Sequence, residues 1–363
     1  MPQSLATSLV RPAPAKTDMA RPLTVAIVGA TGAVGAELIG CLERRDFPVK
    51  ALRLLASPRS AGTVLSFRGA PVTVQALDEA SFDGVDLAFF SAGATLSRRY
   101  GPLAVAAGAW VVDNSSAFRM DPDTPLVTPE VNGWRLGEMD GRLVANPNCV
   151  AAIAAVVLAP LHARRLIVRL IGSTYQAASG AGAAAMAELR DATAAALAGQ
   201  AYAPQVLAHP YAFNLFSHDA GIDPETGYNG EELKVMAELR RLLGAADLPA
   251  SFTCIRVPTL RAHAMALTVR FAEPVSVAEA RAWLSAADGV RVVDDQAANH
   301  FPMPAEAQGQ DDVLVGRIRT DLSDPSGRSL SLFVAGDQLL KGAALNAVQI
   351  AEELVKTHLR KAA

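Results

Sequence analysis

Hydrophobic and polar positions change period several times along this 363-residue chain. Residues 23–29, LTVAIVG, form a short apolar run rich in β-branched side chains, the pattern of a buried strand. KALRLLAS (50–57), VDLAFFSAG (85–93) and AWVVDNSS (109–116) read as further core strands. Between the first two lies ATGAVGAELIGCLERR, glycines first and then apolar positions at helical spacing. Strands alternating with helical segments predict a parallel, doubly wound sheet. The pattern changes after residue 149. Residues 150–165 predict a long Ala-rich helix, followed by RLIVRLIGSTYQA and a Gly/Ala stretch, SGAGAAAMAELRDATAAAL. SFTCIRVPTLRAHAMALTVRF and SLSLFVAGDQ predict strands of a mixed or antiparallel sheet. The closing segment, GAALNAVQIAEELVKTHLRK, is amphipathic with a basic end that suits a helix C-terminus, and is predicted to pack back on the first domain.

The expected fold class is therefore α/β: an N-terminal doubly wound (Rossmann-like) domain over residues 23–149, completed by a C-terminal helix at 340–360, and an α+β domain with a mixed sheet over 150–339. Length favours two domains, and 51% hydrophobic residues are enough to fill two cores. A formal charge of −3 argues against a polyanion-binding surface. No stretch is apolar for long enough to read as a membrane span. Cys41, Cys149 and Cys254 form neither a disulfide framework nor a C-x-x-C site, so a reducing cytoplasm is the expected setting. Residues 1–22 lack the long apolar core of a secretory signal and are expected to be a disordered tail, although their Arg, Ser and Ala leave a transit peptide open.

Candidate chemistry begins at Gly29-Ala-Thr-Gly32-Ala-Val-Gly35, between a predicted strand and a predicted helix. Glycines there permit a tight turn and close backbone approach, and the helix start offers free N–H groups to a pyrophosphate. The second strand ends in LLASPRSAG, with no acid for a ribose 2′-hydroxyl but with Ser57, Arg59 and Ser60, a set that suits a 2′-phosphate and favours NADP. In VANPNC, Cys149 follows an Asn-Pro-Asn turn at a predicted helix start, where the thiolate is favoured. A cysteine beside an Ala/Val run is also ordinary packing, and spacing alone leaves both readings open. Cys41 and Cys254 read as core. His263 lies in RVPTLRAH, where strand alternation would put Arg261 on its face. His162, His209, His218, His300 and His358 have no constellation around them. Arg119, Arg256 and the NGEELK pair Glu231 and Lys234 are candidate anion- and cation-binding groups, each equally readable as a solvated charge.

Taken in order, GATGAVG, ASPRSAG, DNSSAFRM, PEVN, NPNC, QAASGAG, NGEELK, RVPTLRAH, VGRIRTD and GDQLLKGAALNAVQIAE resemble aspartate-semialdehyde dehydrogenases of the bacterial type, from about residue 23 to 356. The resemblance implies an acyl-thioester nucleophile at Cys149, substrate orientation by Gln176 and an acid/base at His263. It implies that Arg256 grips the substrate α-carboxylate, Glu231 pairs the α-ammonium, and Arg119 and Lys234 bind phosphate. NADP would contact Gly29, Thr31, Gly32, Ala33, Val34, Arg59, Ser60, Ser179, Gly180 and Gln338; many relatives carry Asn at the last of these. It further implies reversible, NADP-dependent conversion of 4-aspartyl phosphate to L-aspartate 4-semialdehyde, in biosynthesis of lysine, threonine, methionine and isoleucine. The implied partners are that substrate, phosphate and a second copy of the chain docked through the second domain, with no metal and no nucleic acid. N-acetyl-γ-glutamyl-phosphate reductase is the nearest alternative, but its acetylated nitrogen would leave Glu231 nothing to pair with. An inactive paralogue or an NADP-sensing regulator on the same scaffold would be expected to lack Cys149 or His263, and both are present.

Overall fold

The structure is a computed structural model that describes residues 22–359. The tail expected over residues 1–22 lies outside the described residues, except Pro22, as does Arg360 at the end of the expected C-terminal helix.

The first sheet is built from β1 (Leu23–Val28), β2 (Val49–Ala56), β5 (Gln75–Ala76), β6 (Leu87–Phe90), β7 (Trp110–Asp113) and β8 (Leu143–Ala145), while β3 (Val64–Phe67) and β4 (Ala70–Thr73) form a small antiparallel ribbon. The strand order is β5-β2-β1-β6-β7-β8, every pair parallel. The chain turns outward in opposite directions on the two sides of β1, so the crevice between the ends of β1 and β6 is the topological switch point, where such sheets take their ligands. Helix α1 (Ala33–Arg44) starts directly above it, and α2 (Ala94–Ala106) follows β6. The closing helix α9 (Leu345–Thr357), preceded by a π-helical turn at Leu340–Ala344, buries Leu345, Val348, Ala351 and Leu354 in the core that also holds Leu38 and Leu42 of α1.

The second sheet runs β10-β11-β9-β12-β15-β14-β13, from β9 (Ile167–Gln176), β10 (Phe216–Ser217), β11 (Ala250–Arg256), β12 (His263–Phe271), β13 (Val290–Val292), β14 (Val313–Thr320) and β15 (Ser329–Gly336). Pairs β11/β9 and β13/β14 are parallel and the others antiparallel, a mixed sheet. One face is covered by α4 (Cys149–Arg164), α6 (Gly230–Leu242) and α7 (Val277–Ser285). Helix α4 is apolar on all sides and buried without a break from Val150 to Leu158, as a helix enclosed by other elements must be. The other face leaves Ile171 and Tyr175 of β9 partly in solvent. The short helices α3 (Pro129–Asn132) and α8 (Pro304–Ala307), with α5 (Ala183–Leu197), complete the set.

One sequence expectation is corrected. Strand β12 begins only at His263, because Ala262 is left-handed at φ 70°. Alternation is broken there, and Arg261 does not share the face of His263. Among the described residues no helix is long and apolar enough to cross a membrane, and no group of His, Cys, Asp and Glu could hold a metal ion.

Candidate active site

Helix α4 starts at the sheet edge where β8 ends, and its first residue is Cys149. The preceding Asn148 caps it, its Oδ1 accepting the N–H of Val150 at 2.9 Å and of Ala151 at 3.3 Å. The π-helical turn before α9 presses on the same spot: a Cβ on Gly342 would stand 2.8 Å from the Cβ of Cys149, so only glycine fits there. Cys149 is half-buried. Its thiol is not lowered as a helix start alone would suggest. Burial, with the Glu231 carboxylate adding to it, pushes the thiol up to about 12 against the pull of Arg119 and Arg256.

Helix α6 supplies two acids and a lysine. Asn229 and Glu232 form a capping box at its start, and this turns the first turn inward. Glu231 Oε1 accepts Asn148 Nδ2 at 2.8 Å and Gln176 Nε2 at 3.2 Å. Gln176, at the buried end of β9, also accepts Thr174 Oγ1 at 3.1 Å, so both ends of its amide are fixed. Two turns on, Glu238 is 1% exposed and binds Arg119 Nη1 at 3.2 Å and the Asn148 N–H at 2.5 Å. Arg119 is held further by Asn146 O at 2.9 Å and Asn114 O at 2.7 Å. Lys234, three residues after Glu231 on the same helix, is exposed and lies near His218.

Across the cleft stand Arg256 and His263, at the end of β11 and the start of β12. Arg256 donates from Nε (3.1 Å) and Nη2 (3.0 Å) to Asp219 Oδ1, and its Nη1 is buried without a partner. His263 is wholly buried; its Nδ1 accepts the Ala177 N–H at 3.0 Å, and Nε2 has no partner. Accepting at Nδ1 fixes the neutral tautomer with the proton on Nε2. Burial, then Arg256 and His218, push the imidazole down to about 3. The backbone of Gly180 lies over both groups: a Cβ there would sit 3.1 Å from Arg256 Nη1 and 3.1 Å from His263 Nε2. Two buried donors without a protein acceptor thus lie beside the same glycine, an arrangement that suits an acceptor shared between them.

Sequence reasoning missed several of these groups. Glu238 stands seven residues after Glu231 on α6, a spacing that puts both on one face, and that was the available signal. Asp219 carries no signal beyond its charge; burial raises its carboxyl, but the Arg256 guanidinium outweighs this and holds it below the usual range. His218, read as isolated, is a neighbour of Asp219, Glu231 and Arg256, and chiefly burial holds its imidazole low.

The nucleotide-binding candidates gather at the switch point. Gly29 has φ 86°, and a Cβ there would run into the Ser91 carbonyl at the end of β6. One on Gly35 would strike the Gly29 carbonyl, so α1 packs tight on the turn. Gly32 caps α1 without a side chain, Thr31 and Gly32 are exposed, and Ala33 and Val34 open the first turn. The first N–H groups of α1 are therefore open to an anion. Arg59 and Ser60 lie in a short 3₁₀ turn just past β2, whose end hydrogen-bonds Gly29, and exposed Arg59 has no partner among the described residues. This cradle fits a dinucleotide. Ser179 and Gln338 are buried and joined to each other, Gln338 Nε2 donating to Ser179 Oγ while its Oε1 accepts the Ala262 N–H at 2.8 Å.

Two family models match the chain: semialdehyde dehydrogenase, NAD binding domain, over residues 24–138, and semialdehyde dehydrogenase, dimerisation domain, over residues 158–341. The aspartate-semialdehyde dehydrogenase of Synechocystis is 49% identical over 338 residues, covering 93% of this chain and 99% of that protein. The Bacillus subtilis enzyme of the same name is 42% identical over 94% of this chain and 100% of its own. The chain belongs to the aspartate-semialdehyde dehydrogenase family. The family's fold is present throughout: aspartate semialdehyde dehydrogenase II from Vibrio cholerae, complexed with ASA, superposes with a TM-score of 0.89 at 39% identity, covering 93% of this chain and 99% of that one. At 23% identity, the Candida albicans family member with NADP shares the fold at a TM-score of 0.73. As a family member the chain is an oxidoreductase with a pyridine nucleotide-binding domain.

Proposed function

We propose that the protein interconverts L-aspartate 4-semialdehyde, phosphate and NADP⁺ with 4-aspartyl phosphate and NADPH, through a thioester on Cys149. The observation that carries this reading is the pair of buried, unpartnered donors, Arg256 Nη1 and His263 Nε2, facing the cleft that also holds Cys149 and Glu231. An amino acid aldehyde has one group for each. Its α-carboxylate suits the free edge of Arg256, its α-ammonium the Glu231 carboxylate, and its carbonyl oxygen the Nε2–H of His263.

In the oxidative direction the first requirement is a thiolate. Glu231 raises the thiol, and a substrate ammonium seated on Glu231 would cancel that charge and ease loss of the proton to solvent. Cys149 Sγ then attacks the aldehyde carbon, and the C=O electron pair moves to oxygen. The oxyanion of the resulting hemithioacetal receives the Nε2–H hydrogen bond, so His263 acts as a neutral donor, a narrower role than a general base. Bound nucleotide supplies the acceptor for the hydride that leaves that carbon. Loss of the hydride restores the carbonyl as a thioester, and no proton has to be removed from the oxyanion. A phosphate oxygen next attacks the thioester carbon, with Arg119 and Lys234 opposing its charge, and Cys149 departs as thiolate.

Arg59 beyond β2, with no acid at that strand end, supports NADP over NAD. Most nucleotide contacts in this reading fall to residues 23–149 with α9, and most substrate contacts and the docking of a second copy to residues 150–339. Arg119 and Cys149 reach the substrate from the first domain, while Ser179, Gly180 and Gln338 reach the nucleotide from the second. The test is absorbance of the reduced nucleotide with purified protein and phosphate, in parallel arms with L-aspartate 4-semialdehyde or N-acetyl-glutamate semialdehyde and with NADP⁺ or NAD⁺. Phosphate-dependent reduction of NADP⁺ by the aspartate compound is expected. Preference for the acetylated compound would overturn the substrate, and preference for NAD⁺ the nucleotide.

A further inference from the structure

Behind the cleft, three charged side chains meet in a contact that no step above requires. Arg261 donates from Nη1 to Glu37 Oε1 at 2.5 Å and from Nε to Asp337 Oδ2 at 2.7 Å. Glu37 is in the first turns of α1, just after the glycine turn, and Asp337 follows β15. Asp337 is wholly buried and fixed from both sides: Oδ2 also accepts the Gly309 N–H at 2.7 Å, and Oδ1 the Leu339 N–H at 2.9 Å. One guanidinium therefore ties the helix above the nucleotide cradle to the loop that carries Gln338.

The residue between this arginine and His263 is strained. Ala262 is left-handed at φ 70° and fully buried. A non-glycine residue there costs on the order of 1–2 kcal/mol and persists only where its surroundings over-determine it. Here they do: its N–H is held by Gln338 Oε1, and the side chain before it is clamped at two points. The reversal sends Arg261 toward α1 and His263 into the cleft. A relaxed, extended residue at 262 would turn the imidazole off the space it shares with Arg256 Nη1.

We propose that Arg261 is a positioning residue for the reaction: its clamp between Glu37 and Asp337 holds Ala262 left-handed, and so registers His263 with the helix above the nucleotide cradle. The proposal rests on the reading of His263 given above. A lysine at 261 carries the charge but has no fork to span both carboxylates, and a glutamine at 37 keeps the shape while removing one charge.

The experiment compares Arg261→Lys, Glu37→Gln and the double variant with the wild-type protein. It uses hydrogen–deuterium exchange of the peptide covering residues 257–264, followed by steady-state kinetics. Exchange in that peptide should quicken in both single variants while peptides of β9 keep their protection. The kcat should fall about tenfold or more with the aldehyde KM within about twofold. The double variant should lose no more than Arg261→Lys alone, because both changes cut one contact. Unchanged exchange, losses that multiply, or faster exchange with full kcat would each overturn the proposal. If the wild-type protein does not turn over the aldehyde, the reading of the site fails, and the exchange arm alone decides whether the clamp holds Ala262.

Discussion

At the scale of single residues, the site is defined by groups whose titration burial displaces far from its ordinary range. His263 stays neutral in the native protein down to about 3, whereas a free imidazole takes a proton near its ordinary 6.5. Below the ordinary value the unfolded chain therefore binds a proton that the native one refuses. Stability from this group is complete above about pH 6.5 and is lost as pH falls toward 3, at up to about 1.4 kcal/mol per pH unit. The Cys149 thiol has the opposite sense. Raised from 9.0 to about 12, it loses stability as pH climbs through the alkaline range. Urea unfolding midpoints measured from pH 4 to 8 should fall on the acid side. His263→Asn should make that acid limb shallower; an identical limb would mean that His263 is not held neutral.

At the scale of elements, Cys149 is set by two helices that meet end to end. Asn148 starts α4, and the π-helical turn before α9 closes over the thiol at Gly342. That turn is anchored by the buried Lys341, which donates to Glu130 Oε2 and, at 2.7 Å, to Gln349 Oε1. Gly342→Ala should cost about 1–3 kcal/mol of stability by overpacking and should slow alkylation of Cys149. Alkylation at the wild-type rate would show that the turn yields. The start of α4 is legible in the sequence, because an Asn-Pro-Asn turn before an apolar run has a local cause. The glycine turn and strands β1, β2, β6 and β7 are legible for the same reason, whereas the short β5 and β8 carry too few residues to show a pattern. Asp219 and Gly342 are not, and Glu238 is legible only as a second acid on the face of Glu231, since their parts come from contacts 37, 193 and 90 residues away along the chain: Asp219 on Arg256, Gly342 on Cys149, Glu238 on Asn148. The left-handed Ala262 is illegible too. Nothing in RAH announces a break in alternation, and the long-range clamp on Arg261 imposes it.

For the whole molecule, the mixed sheet has one face buried under α4, α6 and α7 and one face left to solvent. Ile171 is 40% exposed and Tyr175 36% on that outer face of β9, a costly arrangement for a central strand unless something covers it. A second copy docked there would do so, in keeping with the dimerisation-domain family model over residues 158–341. Ile171→Glu should shift the protein to a smaller species in light scattering and leave the far-UV circular dichroism spectrum unchanged. A wild-type protein already monomeric at micromolar concentration would remove the second copy from the account.

The central claim concerns the covalent bond at Cys149, and one measurement addresses it alone: nucleotide reduction followed by absorbance, with aldehyde and NADP⁺ but no phosphate. A thioester that has no phosphate to accept it should stop the reaction after about one NADPH per site, because each step before phosphate attack happens once. Adding phosphate should then restore steady turnover, and Cys149→Ser should bind NADP⁺ yet give neither burst nor turnover. Steady reduction without phosphate, or a burst of undiminished size from Cys149→Ser, would contradict the account.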